Sequence, residues 1–347
     1  MDAPIRVLMI TSAWPTPGQP RTTHFIKRQA DFLRAAGVDV DVFHFQGRRR
    51  IHAYLLAWAR VQWRLIRRRY DVVHAQWGQS GLLALPKRRP LVVTFRGFDL
   101  HGVLGSHGRR TLAGALLRSL SRLVARRADA VILVSEHMRR SIATPAPVHI
   151  IPSGLDLELF RPGPQDEARR RLGLPAGTRL VLFAGDPAVP RKRYALAQEA
   201  VRLLERDHSV AATLVVAWGV SHTEMPLYMS ACDTLVLTSL EEGSPNVVKE
   251  ALACDLPVVS VPVGDVAERL RGIAGCETCP DDRPETLAAA LQRVLARRQR
   301  IAGRAAVIDL DENLLTQRVI AIYRSVMSQR REQPGELKAH GAVGDLR

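Results

Sequence analysis

The sequence predicts an α/β protein made of two parallel-sheet domains in tandem. Short apolar runs alternate with segments of helical apolar spacing, the pattern of strands joined through crossover helices. The alternation breaks at residues 152–175, PSGLDLELFRPGPQDEARRRLGLP, rich in Pro and Gly, and then restarts. The length, 347 residues, suits two domains of roughly 100–200 residues each. With 46% hydrophobic and 24% charged residues, a disordered or fibrous chain is excluded.

Residues 5–11 form a continuous apolar run, as expected of a parallel strand covered on both faces. Residues 23–36 carry Phe25, Ile26, Ala30, Phe32 and Leu33 at helical spacing, and Gly37 closes that helix. A strand is predicted at 38–45, then a helix at 53–69 bearing Tyr54, Trp58 and Trp63 beside Arg60, Arg64, Arg67, Arg68 and Arg69. Strands at 72–75 and 91–95, a helix at 111–127 and strands at 130–135 and 149–152 complete the first half. After the break come strands at 180–185, 211–217, 234–238 and 257–261. Between and after them lie helices at 194–206, 224–230, 246–254, 265–271 and 284–300. A last amphipathic helix covers 311–327, and the tail beyond it has no apolar period. Residues 1–160 and 161–310 are the expected domains, with a helix at 311–330 that crosses back to the first domain and a flexible tail at 331–347. Ligands of open parallel sheets bind at the carboxyl ends of the strands, so the cleft between the domains is the expected site.

The net charge of +16 is unevenly placed. Residues 1–150 hold 25 Lys and Arg against 8 Asp and Glu, a balance of +17, whereas the remainder is close to neutral. An anionic partner for the first half is expected: nucleic acid, phospholipid or a phosphorylated substrate. No nucleic-acid motif accompanies the charge, which disfavours a DNA- or RNA-binding module. The arginine-rich helix at 53–69 has two readings, a surface lying on an anionic bilayer or a packed helix with its tryptophans toward the sheet. Four cysteines are no disulfide framework, and the Cys276-x-x-Cys279 pair lacks a partner pair for zinc. MDAPIRVLMIT reads as a first strand rather than a signal peptide, and no apolar run reaches the ~18–20 residues of a membrane span. The expectation is a cytoplasmic protein, with peripheral contact at the inner face of the membrane left open.

The strongest chemical signal is LTSLEEGSPNVVKEALACDLPVVSVPVGD, residues 237–265. A strand leads into a Gly-Ser-Pro turn, Asn246 stands where it can cap, and a helix carries Glu250. Backbone N–H groups of Gly243, Ser244 and the helix start at Pro245 and Asn246 are placed to hold an anion or sugar hydroxyls. Glu242 and Glu250, with seven residues between them, bring two carboxylates to one pocket.

This E-x7-E within EEGSPNVVKEALA, followed by PVV and VGD, resembles the signature of retaining glycosyltransferases of family 4, which have the two-domain GT-B fold. The resemblance implies that Glu242 bonds the donor sugar and Glu250 the nucleotide ribose. Other segments extend it over almost the whole chain: WPTPGQPRTTHFIKRQADFLRAAGVDVDVF, DVVHAQWG, PLVVTFRGFD, ADAVILVS, VHIIPSGLDLELFRP and LVLFAGDPAVPRK. In the last, the family sets a basic pair against the donor diphosphate, a role that falls to Lys192 with Arg191, beside Gly185. A fixed ammonium there stabilises the charge that develops on the leaving diphosphate. Gly18 and Arg21 lie in the loop after the first strand, Gly18 toward the donor phosphates, and Arg21, Arg96 and Asp99 on the acceptor side; Asp99 is alternatively a turn cap. The resemblance implies no essential metal and no cofactor beyond the nucleotide-sugar co-substrate. The strings Asp39-x-Asp41 and Asp309-x-Asp311 do not look like metal sites, and His24, His44, His74 and His137 read as packing residues.

Three positions depart from the family pattern. Asp186 stands where an arginine is usual, Arg96 replaces a histidine, and only residues 186–241 separate Gly185 from Glu242, as if one βα unit were trimmed. The expected function is transfer of a sugar from a nucleotide-sugar donor to a hydroxyl of a glycan or lipid-linked acceptor, in cell-envelope polysaccharide or glycolipid synthesis. The rivals are a membrane- or polyanion-binding protein on a decayed scaffold, and a GT-B phosphorylase or hydrolase.

Overall fold

Residues 3–15, 24–46, 51–101 and 112–332 are described by a computed structural model of the chain. Gly18 and Arg21 lie outside the described residues, as does the chain from 333 onward. The first sheet contains β1 (Arg6–Thr11), β2 (Asp39–His44), β3 (Val72–Gln76), β4 (Leu91–Phe95), β5 (Ala130–Leu133) and β6 (Val148–Ile150), in the order β2-β1-β3-β4-β5-β6. The second contains β7 (Arg179–Phe183), β8 (Ala212–Val216), β9 (Thr234–Leu237), β10 (Val258–Ser260) and β11 (Glu277–Thr278), in the order β11-β10-β9-β7-β8. Every pairing is parallel. In each sheet the strand order reverses beside the first strand, so β1/β3 and β7/β9 are the topological switch points where such sheets bind ligands.

Helices cover both faces of the first sheet, which explains why Val7, Leu8, Met9 and Ile10 are all fully buried in one uninterrupted apolar run. One face carries the helix Ile51–Arg67 and the helix Leu112–Arg127; Val61, Leu65, Val124 and Ala125 pack there with Leu8, Ile10, Val73 and Val93. The other carries the helix His24–Ala35 and the C-terminal helix Glu312–Glu332. Leu315, Val319, Ile320, Tyr323 and Val326 join the core formed by Val7, Met9, Val72 and Val92. The chain therefore leaves the first domain, builds the second and returns a helix to the first. Arg64 and Arg68 pair with Asp41, so the first Asp-x-Asp string serves the packing of a helix on β2.

His74 fixes the returning helix. It is fully buried, with Nδ1 2.6 Å from the Tyr323 hydroxyl and Nε2 2.8 Å from Thr94 Oγ1. Burial first, and then the charge of Arg96, holds its pKa down to about 3. The unfolded chain takes up a proton near pH 6.5 that the folded one refuses, so stability falls as pH drops below that value. Between pH 6.5 and 5 this costs about 2 kcal/mol. The ring resonances of His74 should stay flat in an NMR titration from pH 8 to 5.

The segment read as a bare connection contains a helix, Gln165–Leu172. Its sequence QDEARRRL has no apolar stripe, which hid it. It is held instead by Arg169, whose guanidinium donates to Ala231 O at 2.9 Å and pairs with Asp233 at 2.8 Å, and by Gly173 in the left-handed region. The two-residue β11 and the short helices Gly78–Gly81 and Phe98–His101 were too brief to show periodicity. No helix among the described residues is long and apolar enough to cross a membrane.

Candidate active site

The loops leaving β7 and β9 are joined to each other at the second switch point. Asp186 Oδ1 accepts the Ala188 N–H at 2.9 Å and bends the first loop, so the residue standing at the arginine position organises the turn that follows. Leu240 N–H donates to Arg191 O at 2.8 Å, the Thr238 hydroxyl to Lys192 O at 2.8 Å, and Arg193 Nε to Thr238 O at 2.6 Å. This lacing aims two cations at one carboxylate. Lys192 Nζ lies 2.5 Å and an Arg191 nitrogen 3.1 Å from Glu242 Oε1. Gly185 lines the stem of Lys192, where a Cβ would stand 3.7 Å from Lys192 Cγ and Cδ. Desolvation pushes the Glu242 carboxyl up, but Lys192 and Arg191 together outweigh it, and its pKa is lowered.

Next to Glu242 the two domains touch through glycines. A Cβ on Gly243 would come within 2.6 Å of Arg96 O, and one on Gly97, at φ +128°, would meet the Gly243 backbone at 3.4 Å. Gly264, at φ +57°, closes the same point, since its Cβ would fall 2.7 Å from Gly243 O. Gly243→Ala should therefore push the first-domain loop away from Glu242 and lower kcat/KM by about 10–100-fold with the fold intact; steady-state kinetics with circular dichroism checks this.

The helix Asn246–Ala253 starts at this junction. Pro245 is its N-cap residue and no side chain caps it; Asn246 Oδ1, expected to cap, instead faces Lys249 Nζ at 3.4 Å. Ser244 donates its hydroxyl to Asp265 at 2.7 Å, which fixes the turn. Glu250 is buried, and burial raises its pKa against the pull of Arg28 and Lys249. Lys249 is buried too, its ammonium 3.4 Å from Ser153 O, and desolvation holds its pKa down to about 7.

On the first-domain side, Arg96 and Asp99 both lie in the turn that follows β4. Arg96 is held by polar side chains from three other segments. It donates to Gln76 Oε1 at 2.8 and 3.2 Å, to Ser153 Oγ at 2.7 Å and to Gln29 Oε1 at 3.3 Å, and stacks on Phe25 at 4.7 Å. Those bonds use four of its five N–H groups, and burial lowers its pKa to about 10. Asp99 is fully buried with its oxygens accepting the N–H groups of Gly78, Arg96 and Gly97 at 3.0–3.1 Å, the arrangement expected of its reading as a turn cap. Burial pushes its pKa up to about 6 although those amides favour the charged form.

Arg28 carried no signal in the sequence. Its guanidinium lies 3.0 Å from Glu312 Oε2 and 3.2 Å from His222 Nε2, and donates to Gly154 O. One buried side chain thus ties the first domain, the returning helix, the interdomain segment and the second domain together. His222 also stacks on His24, with ring centroids 5.1 Å apart.

Two switched parallel-sheet domains, with a Glu–Lys–Arg cluster at the carboxyl ends of the second sheet facing the first across a glycine contact, define a GT-B glycosyltransferase. Residues 4–159 match Glycosyltransferase Family 4 and residues 179–297 match Glycosyl transferases group 1. The chain belongs to glycosyltransferase family 4. It is 31% identical over 317 residues to D-inositol 3-phosphate glycosyltransferase 1 of Catenulispora acidiphila, covering 76% of this chain and 74% of that one. With the D-inositol 3-phosphate glycosyltransferase of Nocardiopsis dassonvillei it shares 30% identity, covering 65% of this chain and 62% of the relative. Among solved structures, sucrose-phosphate synthase from Thermosynechococcus elongatus superposes with a TM-score of 0.78 at 19% identity, over 94% of this chain and 100% of that one. Anabaena Alr3699/HepE in complex with UDP-glucose superposes with a TM-score of 0.62 at 18% identity, over 95% and 100%.

Proposed function

We propose that the protein is a retaining glycosyltransferase that moves a sugar from a nucleoside-diphosphate donor to a hydroxyl of an anionic acceptor, phosphorylated or lipid-linked. The observation that carries this is the Glu242 carboxylate held by Lys192 and Arg191 at the β7/β9 switch point. A donor diphosphate seated against those cations leaves with the electron pair of the anomeric C–O bond, and the cations stabilise the charge it gains. The acceptor hydroxyl attacks the oxocarbenium-like carbon on the departing face and gives its proton to the diphosphate, which retains configuration. Glu242 orients a sugar hydroxyl and Glu250 the ribose. With two cations on the diphosphate, the proposed step needs no metal. The relatives named for D-inositol 3-phosphate and the neighbour bound to UDP-glucose make a uridine diphosphate sugar and a phosphorylated polyol the first pair to try. The excess of cations in residues 1–150 suits such an acceptor.

The departures from the family pattern do not favour a decayed scaffold, because Asp186 and Arg96 both have structural work that leaves the cluster intact. Following the labelled sugar of several nucleotide sugars tests the assignment. Label should reach an acceptor hydroxyl with its anomeric configuration kept, as read by NMR coupling. Label on inorganic phosphate would identify a phosphorylase, and label only on water a hydrolase.

A further inference from the structure

The helix Ile51–Arg67 is apolar on both sides. Ala57, Val61 and Leu65 face the sheet and are buried. On the opposite side Leu55, Leu56, Trp63 and Ile66 are 58–65% exposed. Burial in the core explains the first set, and the second stays exposed among the described residues. The outward stripe runs about 16 Å along the helix. Exposed Arg60 and Arg67 flank it, with the Arg67 guanidinium over the Trp63 ring at 5.7 Å. Leu116 and Leu123 are exposed on the second helix of the same sheet face, beside the exposed Arg122 and Arg126. An open groove between edge strand β2 and the helix is lined by Phe43, His44, Phe45, Leu56 and Arg60.

We infer that this face docks on an anionic phospholipid surface. An apolar stripe rimmed by arginines fits a bilayer interface, with Trp63, Ile66, Leu55 and Leu56 entering the headgroup boundary and the guanidinia on the phosphates. The excess of cations over acids in residues 1–150 adds long-range attraction to the same sign of surface. Topology gives the docking a consequence. The helix follows the carboxyl end of β2, so its first turns lie at the cleft edge of the sheet. Docking along its length brings the mouth of the cleft to the lipid, where an acceptor anchored in the membrane can enter.

Co-sedimentation of the full chain with phosphatidylcholine vesicles, with and without phosphatidylglycerol, tests this. Binding should require phosphatidylglycerol and weaken with salt. The combined Leu56→Ser, Trp63→Ser and Ile66→Ser variant should bind about a hundredfold more weakly with an unchanged melting temperature. Arg60→Glu with Arg67→Glu should also lose binding. Leu314→Ser, an exposed leucine on the opposite face, should bind as the wild type does. If the triple variant melts early, Ile66→Ser alone should still weaken binding about fivefold. Wild-type binding by the serine variants, equal binding to both vesicles, or a stripe that drives self-association without vesicle binding would overturn the proposal.

Discussion

Glu242→Gln is expected to lower kcat/KM by about a thousandfold or more while leaving the protein folded. The amide has nearly the shape of the carboxylate, but it carries no charge and its nitrogen cannot accept from Lys192 or Arg191. A sugar hydroxyl held by Glu242 then loses a charge-assisted bond, which is stronger than its neutral counterpart, and the two cations lose the group that fixes their positions beside the diphosphate. The effect on folding should be small. The Arg191 partner is half exposed, where such pairs contribute about 0–1 kcal/mol, and the glutamine amide oxygen can still accept from the less exposed Lys192. The folded Glu242 pKa is depressed, so its contribution is present above the unfolded value and is lost as pH falls through the folded one. A substitution that unfolds the chain or leaves turnover near wild type contradicts the role given to Glu242.

Arg28→Met is the substitution expected to cost most in stability, about 3–5 kcal/mol. Arg28 and Glu312 are 9% and 4% exposed, so removing the guanidinium strands a buried carboxylate. Burial already raises the Glu312 pKa, with Arg28 as the leading influence pulling it down. Without Arg28 it must take a proton or draw in water. The bonds to His222 and Gly154 go with it, so the second domain loses a tie to the first. Arg28→Met combined with Glu312→Leu should recover much of the loss, because the uncompensated charge is gone. Urea unfolding of the two variants separates these effects; an additive double variant would show that the ion pair is not what the single variant breaks.

The fold was legible because buried parallel strands are apolar on both faces and the crossovers between them have a helical period. The second-domain cluster proposed as the donor site was legible as a grouping because its parts are local in the chain: Glu242, Gly243, Ser244 and Glu250 lie within one loop and helix, and Lys192 closes the loop after β7. The first-domain side was legible only in part, for physical reasons that differ by residue. Asp99 sits beside Arg96 and Gly97 in sequence, which left a turn cap and a sugar contact equally open until the closed turn showed its oxygens on the amides. Arg96 and Arg28 act through partners as far away as Ser153 and Glu312. Lys249 lies inside the motif, but its burial against Ser153 O depends on where the interdomain segment passes. The helix Ile51–Arg67 could not be oriented from periodicity, since apolar residues occupy both its faces. Its two tryptophans divide accordingly: Trp58 donates its ring N–H to Leu85 O at 2.6 Å, whereas Trp63 points outward.

Calorimetric titration of UDP, GDP and ADP into the wild-type protein and into Lys192→Ala tests most directly whether the second switch point is a nucleoside-diphosphate site. At least one nucleotide should bind the wild type, and Lys192→Ala should weaken that binding about tenfold or more while the Gly243 contact keeps the domains in place. Failure of all three to bind the folded wild type, or equal binding by Lys192→Ala, would contradict a donor diphosphate held by Lys192 and Arg191 beside Glu242.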